Sequence, residues 1–341
     1  MRMAHLNRLR IMIWCSLIAL SSLQVQAAQE NIQGQGDGNQ GFPISVNFEY
    51  QYRHMFVKLN TNILGTLTFM VDSGSEHSVV SDGTMKGQDR PLIVSKQRVN
   101  IFNGYGKGAR AEATKTANLT LYTGSRRLFE GSFLVLDIQS VERKLENPID
   151  GILGWDFFQQ YCTTINFATK EMLLYAPGSC SAPKDAHGTI HGVWSPHGLA
   201  IDSVITFPNS KSVKARLHFD TGSDWTVFLN PKFRKVAGLG STGPVEGQTE
   251  GTGINGTYKA DIVRANTVDF EYGRLRYDLK QDATIGIGRR GSFSSAHWWE
   301  ARNDTAEIDR DGNIGNGLLE KLIWTLDPAQ KKVYVVVPPK D

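Results

Sequence analysis

Phe69-Met70-Val71-Asp72-Ser73-Gly74-Ser75 and Leu217-His218-Phe219-Asp220-Thr221-Gly222-Ser223 are two versions of one heptapeptide in a chain of 341 residues. In each, a mostly apolar tripeptide runs into an aspartate, a hydroxyl residue, a glycine and a serine. The apolar part reads as a buried strand, and Asp-[Ser/Thr]-Gly as the tight turn that ends it. Glycine there lets other groups approach closely, with its amide free to bond a carboxylate. The hydroxyl can hydrogen-bond across to another segment.

The likeness continues downstream. Asp150-Gly151-Ile152-Leu153-Gly154, followed by Phe157-Phe158, matches Asp311-Gly312-Asn313-Ile314-Gly315, followed by Leu318-Leu319. Two Gly-rich tips lie between, Asn103-Gly104-Tyr105-Gly106 and Gly253-Ile254-Asn255-Gly256, with Gly104 and Gly253 32 and 33 residues after the respective aspartates. Three features recurring in one order mean two copies of one fold. The second copy is longer, because Arg289–Arg310 inserts a segment containing Trp298-Trp299.

Short alternating stretches separated by Gly, Asn and Asp turns dominate from Pro43 onward. Phe56–Leu59, Leu67–Val71, Val79–Val80, Asn118–Tyr122, Phe133–Leu136 and Val333–Val337 read as strands. Asp156–Tyr161 and Leu318–Trp324 read as short helices. The pattern predicts an all-β chain with a first lobe over 43–178, a Pro/Gly-rich linker over 179–192 and a second lobe over 193–341. The length suits two lobes of ordinary domain size, each with room for a core.

The N-terminus follows a different logic. Arg2, Arg8 and Arg10 precede the apolar run Ile11–Leu23 and the small-x-small site Val25-Gln26-Ala27. That is the layout of a secretory signal over 1–27; the other reading of the segment is an uncleaved anchor. The run is shorter than the roughly 20 residues of a membrane span. Residues 28–42, rich in Gly and Gln, read as a disordered leader. Removing 1–27 takes away three arginines and no acid, leaving 34 bases against 34 acids. Such a neutral balance points to neither nucleic acid nor a membrane surface as partner. Export implies a periplasmic or secreted protein with no stable membrane anchor once the signal is cut.

Cys162 and Cys180 survive signal removal, whereas Cys15 does not. They flank the alternating segment Thr164–Tyr175, with a turn at Ala168-Thr169-Lys170, so a hairpin would bring them near. In an oxidising compartment a disulfide is expected; the alternative is one buried and one exposed thiol. Two cysteines and few histidines argue against a structural zinc site.

Two Asp-[Ser/Thr]-Gly turns related by a pseudo-twofold would set Asp72 beside Asp220. Adjacent carboxyls cannot both ionise, so they share one proton. The charged member can take a proton from water while the neutral one hydrogen-bonds a substrate carbonyl. Such chemistry calls for no metal and no cofactor.

With these motifs the chain resembles the pepsin/retropepsin clan, most closely the bacterial retropepsin-like aspartyl proteases, over about Pro43 to Val337. The resemblance implies a bilobal acid-protease fold from internal duplication, and an endopeptidase acting on peptide or protein substrates. It makes Asp72 and Asp220 catalytic. Ser73 and Thr221, with Gly74 and Gly222, match the positions that lock the two turns together. Ile152-Leu153-Gly154 and Ile314-Gly315 match the element packed behind them, with Asn313 replacing an apolar residue. The Gly-rich tips resemble flaps, making Gly104, Tyr105, Gly106, Gly253 and Ile254 candidate substrate-covering residues; a surface hairpin is the alternative.

Strand alternation places Met70 with Asp72 and His218 with Asp220, so both are candidates to line the cleft. A structural histidine remains the other reading of His218. Asp150 and Asp311 sit in Asp-Gly turns and read as structural. Trp298-Trp299 would line a subsite or cap a lobe. The competing function is a non-catalytic member of the fold that binds a peptide, protein or glycan. A serine peptidase is disfavoured because Gly-x-Ser-x-Gly is absent.

Because one chain supplies both aspartates, the active species is expected to be a monomer. Dilution through the nanomolar range should leave specific activity unchanged. A parallel fall in activity and in a dimer band would reverse that expectation.

Overall fold

A computed structural model describes residues 41–86, 93–101, 111–208, 210–236, 245–253, 256–270, 275–279, 284–289 and 310–338. The expected signal and leader up to residue 40, the tip residues Gly104, Tyr105, Gly106 and Ile254, and Trp298-Trp299 lie outside the described residues. The unit from Phe42 to Asp341 is predominantly β, with three sheets among the described residues.

An eight-stranded sheet is built from the first half and a ten-stranded sheet from the second. Within each, an aspartate-bearing strand runs parallel to the short strand that follows the second motif. Phe69, Met70 and Val71 stand beside Gly151, Ile152 and Leu153. Leu217, His218 and Phe219 stand beside Gly312, Asn313 and Ile314. A third strand crosses antiparallel on the other side, bringing Val80 to Gly151 and Leu229 to Gly312. The backbones approach so closely that a Cβ on Gly151 would overlap the Val79 carbonyl, and one on Gly312 the Phe228 carbonyl. Only glycine fits there.

Asp150 and Asp311 hold this crossing together. Asp150 Oδ2 accepts from the Thr68 amide at 2.8 Å, and Asp311 Oδ2 from the Arg216 amide at 2.8 Å. Their carbonyls accept from the amides of Ser81 and Asn230 at 2.7 and 2.9 Å. Both acids thus have the structural part expected of Asp-Gly turns.

The third sheet has six strands and draws on both halves. At its centre, Thr163, Thr164 and Ile165 pair with Leu326, Thr325 and Trp324. One apolar core runs under all of it, from Phe69, Trp155 and Phe157 to Phe219 and Trp324. Trp324 is fully buried, edge-on to Phe219 and Phe270, with its indole N–H on the Leu319 carbonyl at 3.0 Å. Truncating a side chain of that size in a core costs about 3–5 kcal/mol.

Two local expectations are corrected. Leu318–Trp324 is not one helix: a helix covers Asn316–Leu319, and Ile323–Asp327 is a strand of the shared sheet. Sheet pairing overrides local helical pattern once Trp324 is committed to the core. The helix expected over Asp156–Tyr161 is the shorter Trp155–Phe158. The linker expected over 179–192 is also not purely a connection. Gly188–Ile190 adds an edge strand to the shared sheet by pairing with Val333–Val335.

Cys162–Asn166 and Glu171–Tyr175 form the expected hairpin. Cys162 and Cys180 are disulfide-bonded, their Cα atoms 6.0 Å apart and 18 residues apart in sequence. The bond ties the start of the second-half connection to the shared sheet. By loop-closure entropy it contributes about 3 kcal/mol. Denatured, unreduced protein should therefore show no reactive thiol from either residue. Cys162→Ala/Cys180→Ala should lower the denaturant midpoint accordingly, and an unchanged midpoint would remove the bond from the stability account.

Candidate active site

The two Asp-[Ser/Thr]-Gly turns meet where the halves face each other. Each begins at a pinned amide: Asp72 N–H donates to the Leu153 carbonyl at 2.9 Å, Asp220 N–H to that of Ile314 at 3.0 Å. The turns then exchange four hydrogen bonds. Ser73 Oγ donates to the Phe219 carbonyl at 2.9 Å and accepts from the Thr221 amide at 3.1 Å. Thr221 Oγ1 donates to the Val71 carbonyl at 3.0 Å and accepts from the Ser73 amide at 2.9 Å. Both hydroxyl residues are fully buried. Each hydroxyl uses its one proton and one lone pair across the interface, so the turns are fixed in both directions.

The glycines let the carboxyls pack. A Cβ on Gly74 would collide with the Asp220 carboxyl, and one on Gly222 with that of Asp72. Asp72 Oδ1 accepts from the Gly74 and Ser75 amides at 2.8 and 3.1 Å. Asp220 Oδ1 accepts from the Gly222 amide at 3.0 Å, and Oδ2 from Asn313 Nδ2 at 2.7 Å. Each carboxyl thus lies against the glycine of the opposite turn.

Burial raises both acids above the ordinary carboxylate range. The charge of Asp72 adds to burial at Asp220, which is held well above it. Backbone amides pull Asp72 partly back. The pair is therefore built to keep a proton where separate carboxylates would lose theirs.

No family model matches the chain. No curated protein matches it either.

The residues behind each turn differ. Glu76 pairs with His197 Nδ1 at 3.2 Å, so the segment after the first turn reaches a hairpin of the second half. Trp225 lies in a small cluster with Phe228, Tyr258 and Ala260, its indole N–H on the Tyr258 hydroxyl at 3.0 Å. Tyr258 belongs to the hairpin of Gly247–Gly253 and Gly256–Arg264, which carries the expected tip residue Gly253. The first strand of that hairpin touches the first-half helix Gln139–Leu145. From the first half, Arg53 donates to the Asp224 carbonyl at 3.2 Å, and its own carbonyl accepts from Asn316.

The expectation that Met70 and His218 line an open cleft is corrected: each is only 4% exposed. Met70 is packed with Phe56, Val79, Leu134 and Ile152. His218 Nδ1 lies 3.4 Å from an Arg310 guanidinium nitrogen, and its Nε2 has no hydrogen-bond partner among the described residues. Burial and the Arg310 charge hold His218 well below the ordinary imidazole range. It stays neutral where a surface histidine would be cationic, so it brings no positive charge to the aspartates. Strand alternation did find the correct face; it could not tell that the face is covered.

Asn313, Asn316, Trp225 and Tyr258 were not singled out for the site from sequence. For Asn313 the signal was present, as a polar residue at an apolar place of the repeat. Tyr258 carried none, because only hairpin register brings it to Trp225.

The raised carboxyls make stability depend on pH. Near pH 3 both folded and unfolded chains hold the Asp220 proton, so burial costs nothing. As pH rises past the unfolded value near 4, only the unfolded chain releases it, and stability falls until the folded group titrates. Asp220→Asn cannot ionise. Its Tm relative to wild type should therefore climb between pH 3 and pH 7 in calorimetry. A difference flat with pH would contradict the raised acid.

Proposed function

We propose that this chain is an exported aspartic endopeptidase with a bilobal pepsin/retropepsin-like fold. The observation that carries the reading is the reciprocal lock of Ser73 and Thr221, which sets two buried carboxyls against each other's glycine. Asp150, Asp311 and the matched parallel strands support a duplicated architecture behind it. Among the described residues no helix is long and apolar enough to cross a membrane.

In this reading the pair enters the reaction with one proton. Asp72, which draws several backbone amides, is the better-stabilised anion and acts as general base on a bound water. Asp220 retains the proton and donates a hydrogen bond to the scissile carbonyl. Water adds to the carbonyl carbon as one of its protons passes to Asp72 and the Asp220 proton passes to the carbonyl oxygen, giving a neutral tetrahedral diol. Collapse breaks the C–N bond as a proton moves to the departing amine. No covalent intermediate forms, and the chemistry needs no metal or cofactor. In this reading the Tyr258 hairpin, whose first strand touches the first-half helix, covers an extended peptide.

Asp72→Asn or Asp220→Asn alone should lower kcat/KM for a peptide substrate by roughly a thousand-fold or more, and the double variant by little more. The wild-type rate should follow a bell in pH, with limbs belonging to the pair rather than to either residue. Near-normal cleavage by a single variant would reject the assignment. Tight peptide binding without turnover by wild type would favour a binding protein of the same fold.

A further inference from the structure

We propose that Asn313 is a positioning residue that holds the Asp220 carboxyl and favours its anion, so that the pair gives up its shared proton at a lower pH. The inference rests on the reading of Asp72 and Asp220 as a working pair.

The two halves disagree at one register position. In the first half, the residue beside Met70 is Ile152, and both belong to an apolar cluster that also contains Phe56, Val79 and Leu134. In the second half the same register holds His218 beside Asn313. Asn313 is 3% exposed, so its side chain cannot be there for solvent. A buried amide without purpose costs more than the isoleucine its counterpart uses. Asn313 spends its amide on Asp220, donating to Oδ2 at 2.7 Å. Ile152 offers Asp72 no such donor.

An amide N–H needs a lone pair to point at. With Nδ2 on Oδ2, the anion of Asp220 is favoured, and any proton on Asp220 is directed to its other oxygen, on the side of Asp72 and Gly222. Asn313 therefore works against the burial and the Asp72 charge that raise Asp220. It lets the shared proton leave at a lower pH than the buried site alone would allow. The other charged or titratable groups around Asp220 do not replace this donor. His218 on the same strand is neutral, and Arg310 is turned to His218 and the His197 carbonyl. The Tyr258 hydroxyl accepts from the Trp225 indole N–H, and the Asp72 charge raises Asp220 rather than lowering it.

The test follows the pair by carboxyl-13C aspartate NMR against pH in the full chain. In wild type, the Asn313 side-chain amide resonance should move with the upper titration step of the pair. In Asn313→Ile, which restores the residue of the first half, that upper step should rise by about one pH unit, the order of one hydrogen bond to a charged carboxylate. Asn313→Asp keeps the volume and serves if the isoleucine variant does not fold; its step should rise as well. An unchanged or lowered step overturns the proposal, as does a wild-type amide that ignores the titration. The alkaline limb of kcat/KM should move with the NMR step. If wild type cleaves no peptide while the step still shifts, the peptidase reading fails and the role of Asn313 stands. If cleavage is normal and the step is fixed, only Asn313 is wrong.

Discussion

Four hydrogen bonds join Ser73 and Thr221 to the carbonyls of Phe219 and Val71 and to each other's amides. They are buried and reciprocal. Losing either hydroxyl would leave backbone groups without partners in the interior, at about 1–3 kcal/mol each. Their larger consequence is positional. Each bond starts one residue from an aspartate, so the separation of the carboxyls is set by the lock and not by the aspartates' own attraction. Two acids that repel when ionised can stay adjacent only if the backbone refuses to part.

The rest of the fold serves that refusal. Behind each turn, a parallel strand and an antiparallel one cross so tightly that Gly151 and Gly312 admit no side chain. Asp150 and Asp311 clamp the crossings through backbone amides. The shared sheet and its core, with Trp324 at the seam, join the two halves beneath the site. The disulfide fastens the connection between them to that sheet. Rigid elements on both sides make the carboxyl geometry a property of the whole chain.

The two halves differ where it matters chemically. The face beneath Asp72 is apolar through Met70 and Ile152; the face beneath Asp220 carries His218, Asn313 and, at its edge, Arg310. The Asn313 amide favours the anion of Asp220 and offsets part of the burial and Asp72 charge that raise it, at the expense of apolar packing there. The aromatic group of Trp225, Phe228 and Tyr258 stands behind the second turn.

Much of this was legible in the residues. Two apolar strands ending in Asp-[Ser/Thr]-Gly, each followed by Asp-Gly and a glycine-closed apolar pair, were enough to expect a duplicated all-β chain with Asp72 and Asp220 as its centre. Strand periodicity and turn chemistry are local, so they can be read from local sequence. The hairpin between Cys162 and Cys180 was readable for the same reason. Three things were decided only by tertiary structure. His218 and Met70 share the aspartates' faces, but whether a face is open depends on what packs over it. Leu318–Trp324 has a helical look that sheet pairing overrides. Asn313 stood out as a departure from the repeat, yet its meaning is a 2.7 Å contact with a residue 93 positions away. Periodicity tells which way a side chain points; only the folded chain determines what it meets there.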